Sequence, residues 1–293
     1  MSDAKTDAEA ALKAGDPATA LKHLTAAVKA KPADAKLRIF MAQLLCVLGQ
    51  WERAHTQLNV VADIDSETVA MRETIGHAIR CELMRAKVFA GQRTPMVFGQ
   101  PDEWLALLIE SLLQKGSGDV ALSEDLARRA FDAAPEVSGK LDGQAFHWIA
   151  DADSRLGPVI EACVNGRYYW VPFSRLSALT LDPPEDLRDC VWTPAQLRFS
   201  NGGETVALVP TRYPGSESSS DGAICLARRT QWQDAGHERW FGLGQRVLIT
   251  DLGEHDLMAV RSIELDDLPA AAEAAYWPVL LRRNDCSRRS STG

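Results

Sequence analysis

Small and apolar residues recur with a helical period through the first third of the chain, and the pattern repeats after 34 residues. A period of this length is typical of tetratricopeptide repeats, in which each unit is a pair of antiparallel helices. Glycine suits the turn between the paired helices, alanine lets them approach closely, and proline ends a helix. The first unit has Gly15, Ala20, Ala27 and Pro32 where the second has Gly49, Ala54, Val61 and Ser66.

The helical pattern continues beyond these two units but loses the repeat signature. Leu83 and Val88 stand where the glycine and alanine would be, so we interpret the third unit as a degenerate or capping repeat. Two more helices are predicted, one that Asp102 can cap and one over residues 120–134. The sequence therefore predicts an N-terminal domain over residues 1–135 that forms a tetratricopeptide-like α-superhelix.

β-Branched and aromatic residues become frequent in the second half of the chain. The strongest signal is the dipeptide Asn165-Gly166 between two such runs, because both central residues of a type I′ hairpin turn need a positive φ angle. With that turn fixed, Glu161 pairs with Trp170 on one face of the hairpin. The opposite face is apolar and can pack on a core.

Other elements of this half are predicted less sharply. Residues 195–209 and 245–265 are each expected to form a hairpin, and residues 145–150 a single strand. Residues 172–181 are expected to form a short helix or turn. The polar loop over residues 213–222 is expected to be mobile.

Together these elements predict an α+β fold with two domains. The C-terminal domain, over residues 144–278, is expected to be an antiparallel, barrel-like sheet with short helices. The basic and polar residues 279–293 are expected to form a disordered tail.

Composition and charge narrow the functional classes. The net charge of −8 argues against a nucleic-acid partner, because that affinity depends on neutralising phosphates. The first residues lack the apolar core of a signal peptide, and no apolar run is long enough to span a bilayer. We therefore expect a cytoplasmic protein without membrane insertion. The six cysteines lack metal or redox spacing, which predicts buried free thiols in a reducing compartment.

Three carboxylates lie close together in the sequence and could serve acid–base catalysis or a hard metal ion: Asp151, Asp153 and Glu161. Arg155 and Arg167 are nearby, and a structural network of ion pairs and turn caps would need the same residue types. We favour the structural network. The histidines and glycines lack the spacings of a metal or nucleotide site, so no catalytic residue, metal or cofactor is predicted.

The helical repeats are the stronger binding candidate. The first helix of each tetratricopeptide unit faces the concave groove of the array. The expected groove positions are Lys36, Ile39, Gln43, Cys46 and Val47 in the second unit, and Glu73, His77, Arg80 and Cys81 in the third. Such a mixed apolar and charged groove suits an amphipathic helix or short peptide. The alternative is a groove that the C-terminal domain fills.

Several segments resemble, in sequence and in order, the ImpE family, also called TagJ, of accessory proteins in bacterial type VI secretion. The segments are QAFHWIADADSRLGPVIEACVNGRYYWVPFSR, PPEDLRDCVW, PTRYPGS, LARRTQW and GLGQR. The charged and aromatic residues within them that we take as a candidate cluster are Asp151, Asp153, Arg155, Trp170, Arg212 and Arg246.

The resemblance implies a non-catalytic adaptor. It implies contact with TssB, the smaller subunit of the contractile sheath, through a helical segment at the TssB N-terminus, and a link to sheath recycling by the ClpV ATPase. One alternative is an enzyme or small-ligand binder with an open cleft around the cluster, whereas buried mutual pairing of its residues would favour the adaptor. Another is a chaperone-like adaptor for a different secreted partner.

Overall fold

The computed structural model describes residues 4–236 and 238–267. The predicted tail and the end of the predicted C-terminal domain lie outside the described residues. The helices of the N-terminal domain are α1 Ala4–Lys13, α2 Pro17–Ala30, α3 Ala35–Val47, α4 Trp51–Ile64, α5 Val69–Phe89, α6 Glu103–Ser117 and α7 Val120–Ala133.

The two clear repeats form the predicted helix pairs, α1 with α2 and α3 with α4. Gly15 and Gly49 occupy the turns with φ angles of 81° and 64°, which glycine adopts without strain. Ala20 and Ala54 are completely buried where the helices meet. The repeat in the sequence therefore arises from the close packing of these helices.

The later helices depart from the repeat. The third unit is the single long helix α5, which packs on α4, on α6 and on the C-terminal domain. Asp102 lies at the N-cap of α6 as predicted, but its carboxylate pairs with Arg175 at 3.2 Å rather than capping the helix. Arg175 also donates a hydrogen bond to the carbonyl of Gln100 at 2.5 Å and thereby holds the loop before α6.

The C-terminal domain is built from antiparallel strands and one short helix, α8 Gly222–Cys225. The strands are β1 Gly139–Leu141, β2 Gln144–Phe146, β3 Ile149–Asp151, β4 Val159–Val164, β5 Arg167–Pro172, β6 Leu176–Leu181, β7 Trp192–Phe199, β8 Glu204–Pro210, β9 Thr230–Asp234, β10 Trp240–Gly244, β11 Val247–Thr250, β12 Gly253–Asp256 and β13 Ser262–Leu265. The α+β prediction is therefore confirmed.

Among the described residues, eight strands form one sheet in the order β2-β1-β13-β6-β7-β8-β4-β5. Its end strands, β2 and β5, do not pair with each other, so the predicted antiparallel sheet is open and the term barrel-like describes it only loosely. The strands β12-β11-β3 form a second sheet, and β9 pairs with β10 as a hairpin.

The central hairpin has the predicted register, with Glu161 opposite Trp170 across the turn at Asn165 and Gly166. Its burial differs from a sheet with one solvated face, because every residue of β4 is buried. The face that carries Glu161 and Trp170 is covered by α5, which packs on both strands. The hairpin is therefore the part of the C-terminal sheet on which the helical domain packs.

Three other predictions are corrected. Residues 145–150 split between β2 and β3, which belong to different sheets. Residues 172–181 contain the expected short helix only as a 3-10 turn over Phe173–Arg175, and the rest is strand β6, with a register shift between Leu176 and Ala178. The strand β11 pairs with β12 instead of residues 257–265, because the chain reverses after Thr250, and β13 pairs with β1 and β6.

The cysteine prediction is also corrected. Cys81 on α5 and Cys163 on β4 form a disulfide across the domain junction, although they are 82 residues apart. Cys46, Cys190 and Cys225 are free as expected. The pairing arises because α5 lies on the hairpin, which sequence spacing does not show.

Candidate functional site

A group of charged side chains lies at the junction of the two domains. Glu161 on β4 accepts hydrogen bonds from Arg85 Nε at 2.6 Å and Arg85 Nη2 at 2.9 Å, and another from Arg246 Nη2. Arg246 Nη1 donates to Asp151 Oδ2 at 2.5 Å. Arg85 belongs to α5 and the other three to the C-terminal domain, and none is more than 2% exposed. We refer to these four residues as the buried ion cluster.

The environment of Glu161 keeps its carboxylate ionised. Burial by itself would raise its pKa, but the guanidinium groups of Arg85 and Arg246 outweigh burial and lower the pKa to about 2. The hydroxyl of Tyr168 also donates to Glu161, and Trp170 Nε1 donates to that hydroxyl at 2.7 Å. The aromatic residues of the hairpin thus complete the hydrogen bonds of a buried charge.

Asp151 links the buried ion cluster to the neighbouring turn. Its Oδ1 accepts hydrogen bonds from the hydroxyl of Tyr213 at 2.9 Å and from the backbone N–H of Asp153 at 2.8 Å. Burial raises the pKa of Asp151 to about 7. The carboxylate of Asp153 accepts from Arg155 Nε and from the backbone N–H of Gly242, each at 2.8 Å. The run of charges is therefore a capped, hydrogen-bonded turn.

The structure brings together five of the six predicted cluster residues but places no open cleft among them. Asp151, Asp153, Trp170 and Arg246 are fully buried, and Arg155 packs at the edge of the group between two phenylalanine rings. Within residues 4–236 and 238–267, no group of histidine, cysteine and carboxylate side chains could hold a metal ion. Buried mutual pairing, the arrangement expected of an adaptor, is the one observed.

The sixth residue, Arg212, has a separate structural task. Its guanidinium donates from Nη1 to the carbonyls of Val47 at 2.6 Å and Cys225 at 2.5 Å, and from Nη2 to the carbonyl of Cys46 at 3.1 Å. The carbonyls at the end of a helix lack partners within the helix. Arg212 thus caps α3 from the C-terminal domain and fastens the two domains together.

Sequence reasoning missed the contribution of α5 to this junction. Arg85 supplies one guanidinium of the buried ion cluster, and Glu82 accepts a hydrogen bond from Trp192 Nε1 at 3.1 Å. The available signal was the phase of Arg85, which lies on the helix face that also carries Cys81 and Val88. A charged residue at a buried helical position indicates a partner elsewhere in the fold.

The first part of the predicted groove is open. Lys36, Ile39 and Gln43 of α3 line a cavity of about 550 Å³, which we call the front cavity. Its other walls come from α1 and from the C-terminal domain. The lining residues besides those of α3 already named are Lys5, Glu9, Leu12, Lys13, Phe40, Glu185, Asp186, Leu187 and Arg228.

The remaining groove residues lie elsewhere. Cys46 and Val47 are completely buried, so their predicted place on an accessible groove surface is corrected: the C-terminal domain packs over that end of α3. His77 lines a second cavity of about 440 Å³, the rear cavity, which also borders the turn at Gly166. Glu73, paired with Arg72 at 2.6 Å, is exposed on α5.

Arg80 is likewise exposed on α5, and it lines neither cavity. Cys81 is buried in the disulfide with Cys163. The third repeat unit therefore does not extend the front cavity.

The segment over residues 187–192 divides the groove into these two cavities. Its 3-10 turn, Leu187–Cys190, packs against α3. Val191 and Trp192, each 1% exposed, are buried within the core of the helical domain, and the Trp192 ring lies 6.0 Å from the Trp51 ring. The C-terminal domain therefore fills the middle of the groove and leaves its first part accessible.

Comparison with known proteins agrees with this architecture. Residues 143–264 match the sequence family described as ImpE protein, and residues 11–72 match a tetratricopeptide repeat family. The type VI secretion system accessory component TagJ of Pseudomonas aeruginosa is 46% identical over 263 residues, which cover 90% of this chain and 92% of the relative. The chain belongs to the ImpE/TagJ family.

The ImpE match contains the C-terminal members of the buried ion cluster, whereas Arg85 lies between the two matched segments. A crystal structure of a protein from Vibrio parahaemolyticus is also similar, with a TM-score of 0.82 and 26% sequence identity. The match covers 90% of this chain and 99% of that one, so the similarity includes both domains. No helix in the described part of the chain is long and apolar enough to cross a membrane.

Proposed function

We propose that this ImpE/TagJ protein is a non-catalytic, cytoplasmic accessory component of a bacterial type VI secretion system. In this proposal it holds a short helical segment from the N-terminus of the sheath subunit TssB in the front cavity. By holding that segment it influences sheath assembly or the recycling of the sheath by the ClpV ATPase.

The open front cavity is the observation that carries the proposal. It lies on the concave side of a helical repeat domain, which is where tetratricopeptide arrays hold peptides and helices. Its half-buried apolar side chains, Ile39 and Phe40, offer a helix a surface to cover. The relative from Pseudomonas aeruginosa, an accessory component, is similar over both domains.

A non-catalytic role is supported by the burial and the pairing of the charged residues. Catalytic acids and bases must reach a substrate within hydrogen-bonding distance. Asp151 and Glu161 instead have their carboxylates occupied by Arg246, and both are closed to solvent. Their arrangement serves the joining of two domains.

The proposal is tested by titration calorimetry of the full chain with a peptide from the N-terminal helical segment of the cognate TssB. We expect micromolar binding. Ile39→Glu should weaken it at least tenfold, about 1.4 kcal/mol, because the variant places a charge on the apolar surface that Ile39 and Phe40 form in the front cavity. Gln43→Ala, which removes a polar lining group, should weaken it less.

The matched control is Arg80→Glu, which changes charge on an exposed part of α5 that lines neither cavity. We expect this variant to bind like the wild type. Binding that ignores Ile39→Glu would place the site outside the front cavity. No binding by a folded sample would reject TssB as the partner.

A further inference from the structure

The dimensions of the front cavity limit the length of its occupant. On α1 the lining runs from Lys5 to Lys13, and on α3 from Lys36 to Gln43. At a helical rise of 1.5 Å per residue, these stretches are about 12 Å and about 10 Å long. An occupying helix is therefore in contact for about two turns.

The cavity floor is apolar and is shared by the two domains. Leu12, Ile39 and Phe40 come from the repeats, and Leu187 comes from the segment that divides the groove. A helix that covers this floor needs apolar residues on one face only, spaced three and four residues apart. The occupant should therefore be amphipathic.

The charges around the floor are unequal. Lys13 and Lys36 have no ion-pair partner among the described residues, and Arg228 donates only to the carbonyl of Lys13, at 3.1 Å. Lys5 Nζ lies 3.6 Å from Glu9 Oε1, so the charge of this lysine is already balanced by a carboxylate on the same helix.

Fewer carboxylates are left to balance these cations. Glu185 and Asp186 are the two remaining carboxylates of the lining, so the remaining cations exceed them by one charge. The local excess of positive charge stands out in a chain of net charge −8. Charge complementarity therefore favours carboxylates on the occupant.

The cations also lie at both ends of the cavity. Short turns make α1 antiparallel to α2 and α2 antiparallel to α3, so α1 and α3 run in the same direction. Lys13 is in the last turn of α1 and Lys36 in the first turn of α3. The two ammonium groups therefore mark opposite ends of the apolar floor.

We propose that the front cavity recognises a two-turn amphipathic helix whose apolar face is flanked at each end by carboxylate side chains. This inference rests on the proposed function for the location of the site and adds the chemistry of the segment that the site selects. Lys36 pairs with the carboxylates at one end of the helix, and Lys13 and Arg228 pair with those at the other end.

The test uses the full chain and two labelled synthetic peptides, each constrained to be helical. Both carry the same leucines on one face, and they differ only in having glutamate or lysine at the flanking positions. Fluorescence anisotropy should show that the glutamate peptide binds at least tenfold tighter, with affinity that falls as salt is added. The double variant Lys13→Glu/Lys36→Glu should invert this preference.

Lys29→Glu is the matched control, because Lys29 is exposed on α2 and does not line the cavity. It should leave the preference unchanged. Equal affinity for the two peptides, no binding of either, or a preference that survives the double reversal would overturn the inference.

The same variants separate this inference from the proposed function. If the TssB peptide binds wild type and the double variant with the same affinity, the charge recognition is wrong and the proposed function stands. If the glutamate peptide binds selectively while the TssB peptide does not bind, the charge recognition stands and TssB is not the partner.

Discussion

Glu161 shows how much of this molecule depends on single buried charges. Its carboxylate accepts hydrogen bonds from two arginines and a tyrosine, and the residue is completely closed to solvent. A buried charge without a partner costs several kcal/mol, whereas a paired and hydrogen-bonded one is tolerated. The sequence suggested a structural network around Glu161 and Arg155, but Arg85 is 76 residues away and was not among the candidates.

Glu161→Gln should lower the free energy of unfolding by about 3–5 kcal/mol, because it leaves the facing guanidinium groups with one uncompensated charge. Urea denaturation followed by circular dichroism measures this change. Glu264→Gln, at an exposed position of β13, should change stability by less than about 0.5 kcal/mol. Equal effects of the two substitutions would contradict the structural importance of the buried ion cluster.

The pH dependence of the same variant follows from the lowered pKa of Glu161. A carboxyl group whose folded-state pKa is about 2, against an ordinary 4.5, stabilises the fold above pH 4.5 and loses that contribution as the pH falls towards 2. The contribution is roughly 3 kcal/mol. The stability difference between wild type and Glu161→Gln should therefore narrow on acidification through this range, and a constant difference would contradict the assignment.

At the scale of elements, local patterns predicted what local forces determine. The repeat pattern predicted the helix pairs correctly because Gly15 lies in the turn and Ala20 at the close contact of the two helices of one unit. The Asn165-Gly166 turn gave the hairpin register for the same reason. The loop over residues 213–222, expected to be mobile, instead contains the buried Ser216, whose hydroxyl accepts from the Gly244 N–H at 2.7 Å.

Features that depend on distant partners were not predictable in this way. The strand β13 reaches the sheet by pairing with β1 and β6, and no local pattern specifies such neighbours. Arg85 and the Cys81–Cys163 pair became visible only when α5 was seen on the hairpin. The candidate cluster was located by its residues, and its burial required the covering helix.

The disulfide joins two elements of different domains and should stabilise their contact. Reductant should lower the free energy of unfolding by about 2–4 kcal/mol, as expected for a cross-link that closes a long loop. Cys163→Ser should remove this sensitivity to reductant. Denaturation with and without dithiothreitol gives the comparison, and an unaltered wild type would show that Cys81 and Cys163 do not stabilise the fold as a disulfide.

At the scale of the whole molecule, the two domains share their core. The core of the helical domain includes four side chains from the C-terminal domain, those of Val191, Trp192, Cys225 and Leu226. Arg212 caps α3 from the same side. Adjacent domains with large apolar interfaces are not expected to move or unfold independently.

Unfolding in denaturant should therefore be a single transition. Far-ultraviolet circular dichroism, which reports mainly the helices, should coincide with the fluorescence of buried tryptophans such as Trp170 and Trp192. Two separated midpoints would mean that the interface contributes little to stability.

The chain order of the buried ion cluster has a consequence for synthesis. About 160 residues separate Arg85 from Arg246, and at ribosomal speeds they take roughly ten to thirty seconds to be made. During that interval the helical domain has emerged, whereas the segment over residues 187–192 that fills its groove arrives only part-way through. The nascent protein thus passes through a period with a longer open groove and an Arg85 that has Glu82 of its own helix as a partner but not yet Glu161, when it is most vulnerable to mispairing with other chains.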